Sequence, residues 1–175
     1  MICPDCGHDN IAGIDSCEAC NASLVAFDEA GSELEQVIVR HEVTVLSPAK
    51  PVMVHATMPV RGAIQEMVDR RIGCLLVQVS DELVGIFTER DVLNRISGDL
   101  DSLDYPVSEF MTREPATIRE DDSIAYALHA MDLGGYRHMP IVDADGRPAG
   151  IISIRDILRF LCVRFAELRA GGSPA

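Results

Sequence analysis

The sequence predicts an α/β (α+β) protein: tandem β-α-β-β-α repeats packed face to face, with a small cysteine-rich segment ahead of them. Three observations lead there. The stretch GIFTERDVL at 85–93 returns almost unchanged as GIISIRDIL at 150–158. Around each copy the apolar spacing changes from helical to strand-like in the same order. Four cysteines sit as CPDC and CEAC within the first 25 residues, whereas Cys74 and Cys162 stand alone in apolar runs.

The bulk numbers fit this organisation. At 175 residues the chain has room for one ordinary domain or two small ones. Apolar residues make up 47% and aromatics only 5%, so the core must be aliphatic. A net charge of −13 favours solubility and opposes contact with a phosphodiester backbone. No apolar run approaches the roughly 18–20 residues that cross a bilayer, so no membrane partner is expected. The opening MICPDCGHDN has neither a basic nor an apolar signal region, and a cytoplasmic location is expected.

Residues 1–25 form the cysteine segment, and 26–40 read as a linker entering a helix. Ser32 is the expected N-cap of that helix, with Glu33 and Glu35 suited to its positive end. The first repeat runs over 41–98, a polar connector over 99–114, the second repeat over 115–168, and a disordered tail over 169–175. Ala63 and Met67 align with Ala127 and Met131 at an offset of 64; Gly85 and Asp91 align with Gly150 and Asp156 at 65. The extra residue falls between VQVSDELVG and IVDADGRPAG, where Asp145–Gly146 is a favoured hairpin turn pair.

Each repeat begins with an extended stretch, PVMVHA or PATIRE. A helix follows, with Thr57 or Asp122 as expected cap and apolar residues at helical spacing: Val60, Ile64, Met67 and Val68 in one copy, Ile124, Leu128 and Met131 in the other. Two strands then flank a hairpin (CLLVQV and LVGIF; MPIV and AGIIS), and a second helix closes the unit. One such unit of about 50–60 residues is marginal alone, so two should pack face to face. A short helical turn is expected at VSEFM, and both lone cysteines are expected to be small core residues.

The duplicated turn has two readings. Thr88 precedes Asp91 by three residues, as Ser153 precedes Asp156, each pair ahead of an apolar helix. That is a capping box, and it stabilises a helix end by about 0.5–2 kcal/mol. The same groups suit a ligand. Free N–H groups at a helix start attract phosphate, the hydroxyl can donate to it, and the carboxylate can accept from a ribose diol. A capping role alone does not require glycine, arginine and apolar spacing to return together.

The pattern GIFTERD and GIISIRD, with MPIVDADG and the connector PVSEFMT, resembles a pair of cystathionine-β-synthase (CBS) domains over about 41–165. That resemblance implies that the repeats are packed as a pseudo-twofold pair, with two clefts for adenosine-type ligands (AMP, ADP, ATP or S-adenosylmethionine), and a homodimer of two stacked pairs. It implies phosphate contacts from Thr88 and Ser153 and ribose contacts from Asp91 and Asp156. Base contacts would come from the backbone near Val54 and His55 and near Thr117 and Ile118. The copies differ. Arg137 and His138 stand where the first copy has Gly73 and Cys74. Arg137 can fork onto a phosphate and protonated His138 can donate, so the copy with Ser153 and Asp156 should be the better anion site. A solvated surface arginine and a hydrogen-bonded packing histidine are the plainer alternatives.

Cys3, Cys6, Cys17 and Cys20 form two CxxC pairs separated by ten residues, a spacing that lets four thiolates surround a structural zinc ion. With little apolar content of its own, the segment needs metal to fold. It resembles a short zinc ribbon of pattern CPxCGxxN…CxxC. A rubredoxin-like iron site for electron transfer and disulfides are the alternatives. Residues 1–39 hold no Lys or Arg and eight acids, so nucleic acid is not an expected partner and docking to another protein is expected. No nucleophile–base pair, phosphate loop or open metal site appears, so no catalysis is expected, and the resemblance to a CBS pair implies a non-catalytic sensor of adenosine-type ligands. The alternative is a nucleic-acid-associated regulator that uses the ribbon.

Overall fold

The computed structural model describes residues 3, 6–11, 14, 16–22, 24, 33–96, 98 and 100–171. In chain order the elements are α1 (Glu33–Arg40), β1 (Met53–His55), α2 (Val60–Arg70), β2 (Cys74–Val79), β3 (Glu82–Thr88), α3 (Glu89–Asp91), β4 (Thr112–Arg113), β5 (Ile118–Arg119), α4 (Ile124–Gly134), β6 (His138–Val142), β7 (Pro148–Ser153) and α5 (Ile154–Gly171). The expected β-α-β-β-α order occurs twice, with β4 added between the copies. By packing, the chain divides into two compact units that interleave along the sequence. One comprises Ala49–Arg119 with Met139–Ile151; the other comprises Met1–Pro48, Glu120–His138 and Ile152–Ala175.

The unit that begins at Ala49 holds a four-stranded sheet in the order β1-β2-β3-β4. Strands β1 and β2 are parallel, with Val54 opposite Val77, and α2 supplies the crossover such a pair needs. Strands β2 and β3 are antiparallel, with Cys74 opposite Thr88. Their turn is Ser80–Asp81, both left-handed at φ +49° and +67°, the conformation of a tight two-residue hairpin. Along β2, Leu75 and Val77 join Val54, Val60, Ala63, Met67, Phe87, Val107 and Met111 in the main core. Cys74 and Leu76, on the opposite face, pack with Ile86, Met53, Leu83 and Ile151. A strand buried on both faces has no reason to alternate, which accounts for the unbroken apolar run. The unit also holds most of the β5-β6-β7 sheet, in which Ile118 of β5 pairs parallel with Ile141 of β6. Ala49 and Ile151 exchange both backbone hydrogen bonds, at 3.1 and 3.0 Å.

The other unit carries α1, α4 and α5. Val43 N–H donates to Asp122 O and Ile124 N–H to His41 O, both at 2.9 Å, tying the end of α1 to the start of α4. Val43, Ile124, Ala127, Met131, Ile152 and Ile157 are buried. The His41 ring lies 5.8 Å from that of Phe160.

Several expectations need correction. The cap of α2 is Pro59, whose carbonyl accepts from Ala63 N–H at 3.1 Å; the Thr57 hydroxyl is instead 2.8 Å from His55 Nδ1. The cap of α4 is Ser123, which accepts from Tyr126 N–H at 3.0 Å, while Asp122 contributes its carbonyl to Val43. Val68 is 63% exposed, because α2 buries only the face bearing Val60, Ala63 and Met67. Cys162 is exposed on α5 and not in the core. The second helix of the first copy is three α-helical residues followed by a π-wound turn, Val92–Ile96. The turn expected at VSEFM is a 3-10 turn, Val107–Glu109. The expected cap Ser32 and residues 172–175 of the tail lie outside the described residues.

Candidate functional site

Both duplicated turns form as their spacing requires. The N–H and hydroxyl of Thr88 donate to Asp91 Oδ2 at 2.9 and 2.7 Å, and Asp91 N–H returns a bond to Thr88 Oγ1 at 3.3 Å. The N–H and hydroxyl of Ser153 donate to Asp156 Oδ2 at 2.8 and 2.7 Å. Each carboxylate therefore uses Oδ2 to tie off its own turn. Its Oδ1 faces an arginine further along: Arg95 Nε at 3.7 Å from Asp91, Arg159 Nη1 at 3.6 Å from Asp156.

The strand that precedes each hairpin lies against the turn through one backbone bond. Glu89 N–H donates to Gly73 O at 3.1 Å, and Ile154 N–H donates to Arg137 O at 2.9 Å. These are equivalent positions in the two copies. The bond sets Arg137, and His138 after it, beside the Ser153–Asp156 turn; Arg137 is exposed and His138 half-buried. In the first copy the same place is held by Gly73 and Cys74. Burial, then the Glu89 charge, pushes the Cys74 thiol up to about 12, so it is neutral at physiological pH.

The remaining expected ligand positions are more scattered. Val54 is buried in β1 and His55 is exposed at its end; Thr117 is exposed ahead of β5 and Ile118 is buried in it. All four belong to the unit that contains Thr88 and Asp91. Two residues next to the turns were not singled out from sequence. Arg95 Nη1 donates to the carbonyls of Phe110 and Met111 at 2.9 and 3.0 Å while its Nε faces Asp91. Glu89 occupies the first helical position, where the second copy has Ile154. Comparing the two copies letter by letter sets Glu89 against Ile154 and Arg95 against Phe160, but does not show what Arg95 bonds to.

The four cysteines converge. Their sulfurs lie within 4.8 Å of one another, with Cys3–Cys20 at 3.7 Å and Cys6–Cys17 at 3.5 Å. Sulfurs at the corners of a zinc tetrahedron are about 3.8 Å apart, given Zn–S bonds of about 2.3 Å, so the donor set fits that ion. Two matching knuckles build it. Cys3 N–H donates to His8 O and Gly7 N–H to Cys3 O; Cys17 N–H donates to Ala22 O and Asn21 N–H to Cys17 O, all at 2.8–2.9 Å. Gly7 and Asn21, each four residues after its cysteine, have φ of +70° and +59°.

Asn10 joins the knuckles. Its amide donates to His8 O at 2.9 Å and lies 3.5 Å from Cys17 Sγ, and its Oδ1 accepts from Glu18 N–H at 3.0 Å. Burial works against a Cys17 thiolate, yet the N–H groups of Cys20 and Ala19, the Asn10 amide and the Cys6 thiol all favour it and bring Cys17 down to about 6. Cys6 goes the other way: His8 N–H would lower it, but burial and the thiols of Cys20, Cys17 and Cys3 push it up to about 12. Asn10 is part of the ribbon pattern, but its bonding was not legible there. The cysteine cluster lies within electrostatic reach of α4: Tyr126 is raised first by burial, then by Asp122 and then by Cys6.

Comparison with known proteins addresses the repeats. The CBS domain family model matches residues 39–98 and 107–163. An uncharacterized 17.7 kDa protein of Acidianus ambivalens is 36% identical over 122 residues, 69% of this chain and 73% of that one. The Arabidopsis thaliana CBS domain-containing protein CBSCBSPB5 is 32% identical over 117 residues, 66% of this chain but only 20% of the plant protein. Among solved structures, the CBS domain protein PAE2072 of Pyrobaculum aerophilum complexed with AMP has a TM-score of 0.64 at 26% identity, covering 73% of this chain and 99% of that one.

Proposed function

The chain belongs to the CBS-domain family, and from that premise we propose that it is a non-catalytic sensor whose CBS pair binds an adenosine-type ligand. The observation that carries this is the Ser153–Asp156 turn at the start of α5 with Arg137 bonded against it. The likeness to a CBS protein complexed with AMP supports the adenine class. In this reading the ribose hydroxyls donate to Asp156. The Ser153 hydroxyl, relieved of the carboxylate, turns its proton to a phosphate oxygen. Arg137 forks onto the phosphate, and His138 adds a donor when protonated. The corresponding first-copy positions are Thr88 and Asp91. The base-contacting role expected of Val54, His55, Thr117 and Ile118 is part of the same proposal.

Cys3, Cys6, Cys17 and Cys20 would hold a zinc ion that organises the ribbon and performs no reaction. The ribbon's acidic composition favours a docking role towards protein over nucleic acid. A cytoplasmic homodimer completes the reading. Among the described residues no helix is long and apolar enough to cross a membrane. The test is thermal unfolding with AMP, ATP or S-adenosylmethionine, for wild type and Asp156→Ala. At least one ligand should raise the wild-type midpoint, and the variant should lose that rise. A full rise in the variant would overturn the site assignment.

A further inference from the structure

Taking the adenine-ligand reading as premise, we propose that each chain binds one nucleotide and not two. The second copy's turn takes the phosphorylated ligand, and the first copy's Asp91 is a structural clamp that holds the connector through Arg95. Four differences between the copies carry this.

The first is access. The Asp91 side chain is 8% exposed, while that of Asp156 is 32% exposed. The second is what each carboxylate's arginine does. Arg159, facing Asp156, is 71% exposed. Arg95, facing Asp91, also donates to the carbonyls of Phe110 and Met111. Those carbonyls belong to the connector segment whose Val107 and Met111 side chains are buried in the core. Drawing Asp91 towards a ribose would take from Arg95 the charge that orients it.

The third difference is charge at the phosphate end. Glu89 puts a carboxylate at the first helical position of the first turn, where an incoming phosphate would meet it; the second copy has Ile154 there and Arg137 alongside. The fourth is the helix behind each turn. Eighteen residues of α5 stand behind Ser153, whereas α3 has three before the winding widens. The two turns match as a motif and differ as environments.

The experiment is calorimetric titration of the full, metal-loaded chain with AMP. One equivalent per chain is expected. Arg137→Met and Asp156→Asn should each weaken binding about tenfold or more, the loss of one charge-assisted contact. Arg95→Met should keep both affinity and stoichiometry but unfold at a lower temperature, and Arg95→Lys should recover part of that loss. Two equivalents per chain, or one equivalent undiminished in Asp156→Asn, would overturn the inference and leave the sensor reading standing. No binding of AMP, ATP or S-adenosylmethionine by wild type would overturn both.

Discussion

Cys74 and Cys162 carry the same thiol into opposite surroundings. Cys74 lies between Leu76, Ile86 and Ile151, and burial pushes it up to about 12 from its ordinary value of 9.0. Its neutral form is the one the fold favours. That contribution is fully present below pH 9.0 and is lost as pH rises through about 12. The loss is about 1.4 kcal/mol per pH unit in that window. Urea unfolding should therefore weaken between pH 9 and 12 more steeply for wild type than for Cys74→Val; equal slopes would refute the burial argument. At pH 8 a thiol reagent should label Cys162 at once and Cys74 only on unfolding. Sequence treated the two alike because both have apolar neighbours. What separates them is placement: Cys74 opens a strand buried on both faces, whereas Cys162 shares its face of α5 with Leu158 and Phe165, both about half exposed. At Gly85 a Cβ would overlap the buried Met111 side chain, which would have to repack, so Gly85→Ala should destabilise the fold by about 1–3 kcal/mol in chemical unfolding.

At the level of elements, the order of strands and helices was readable because apolar period changes at each boundary, twice over. Boundaries were less readable. Thr57 and Asp122 have the right chemistry for a cap, but the chain enters each helix one or two residues later, through Pro59 and Ser123. The short, π-wound second helix of the first copy was hidden because Val92–Ile96 keeps an ordinary helical pattern. The convergence of the four cysteines was legible from spacing alone, since CxxC twice leaves few other arrangements. Its clamp was not. Asn10 is buried and bonds to both knuckles. Asn10→Ala should weaken zinc retention about 10–100-fold against a competing chelator, as removal of a second-layer partner does elsewhere. Unchanged retention would mean that the cysteines alone set the affinity. The rest of the chain should keep its unfolding midpoint, because the ribbon's small cluster of Cys3, Cys17, Leu24, Ile14 and Ala22 is separate from the main core.

At the scale of the molecule, the duplicated turn announced a pair of repeats, but not that its compact units would interleave. Ile151, from the second copy, packs on the first copy's sheet, a contact between residues far apart in sequence. The homodimer proposed above would form through apolar surface that is left exposed within the chain. On α5, Leu158, Cys162 and Phe165 recur at helical spacing on one exposed face. An acidic protein with a net charge of −13 gains little by exposing such a stripe to water, and a second copy offers the same apolar stripe in return. Light scattering after gel filtration should give twice the 19.1 kDa of one chain. Leu158→Glu with Phe165→Glu should give the single-chain mass. Binding of AMP should survive that double change, because both positions lie beyond the first turn of α5, which holds Asp156 and follows Ser153 at the end of β7. A wild-type protein that runs as one chain at micromolar concentration would show that α5 does not mediate assembly. Loss of AMP binding in the monomeric variant, with its fold intact, would show instead that the partner chain completes the site.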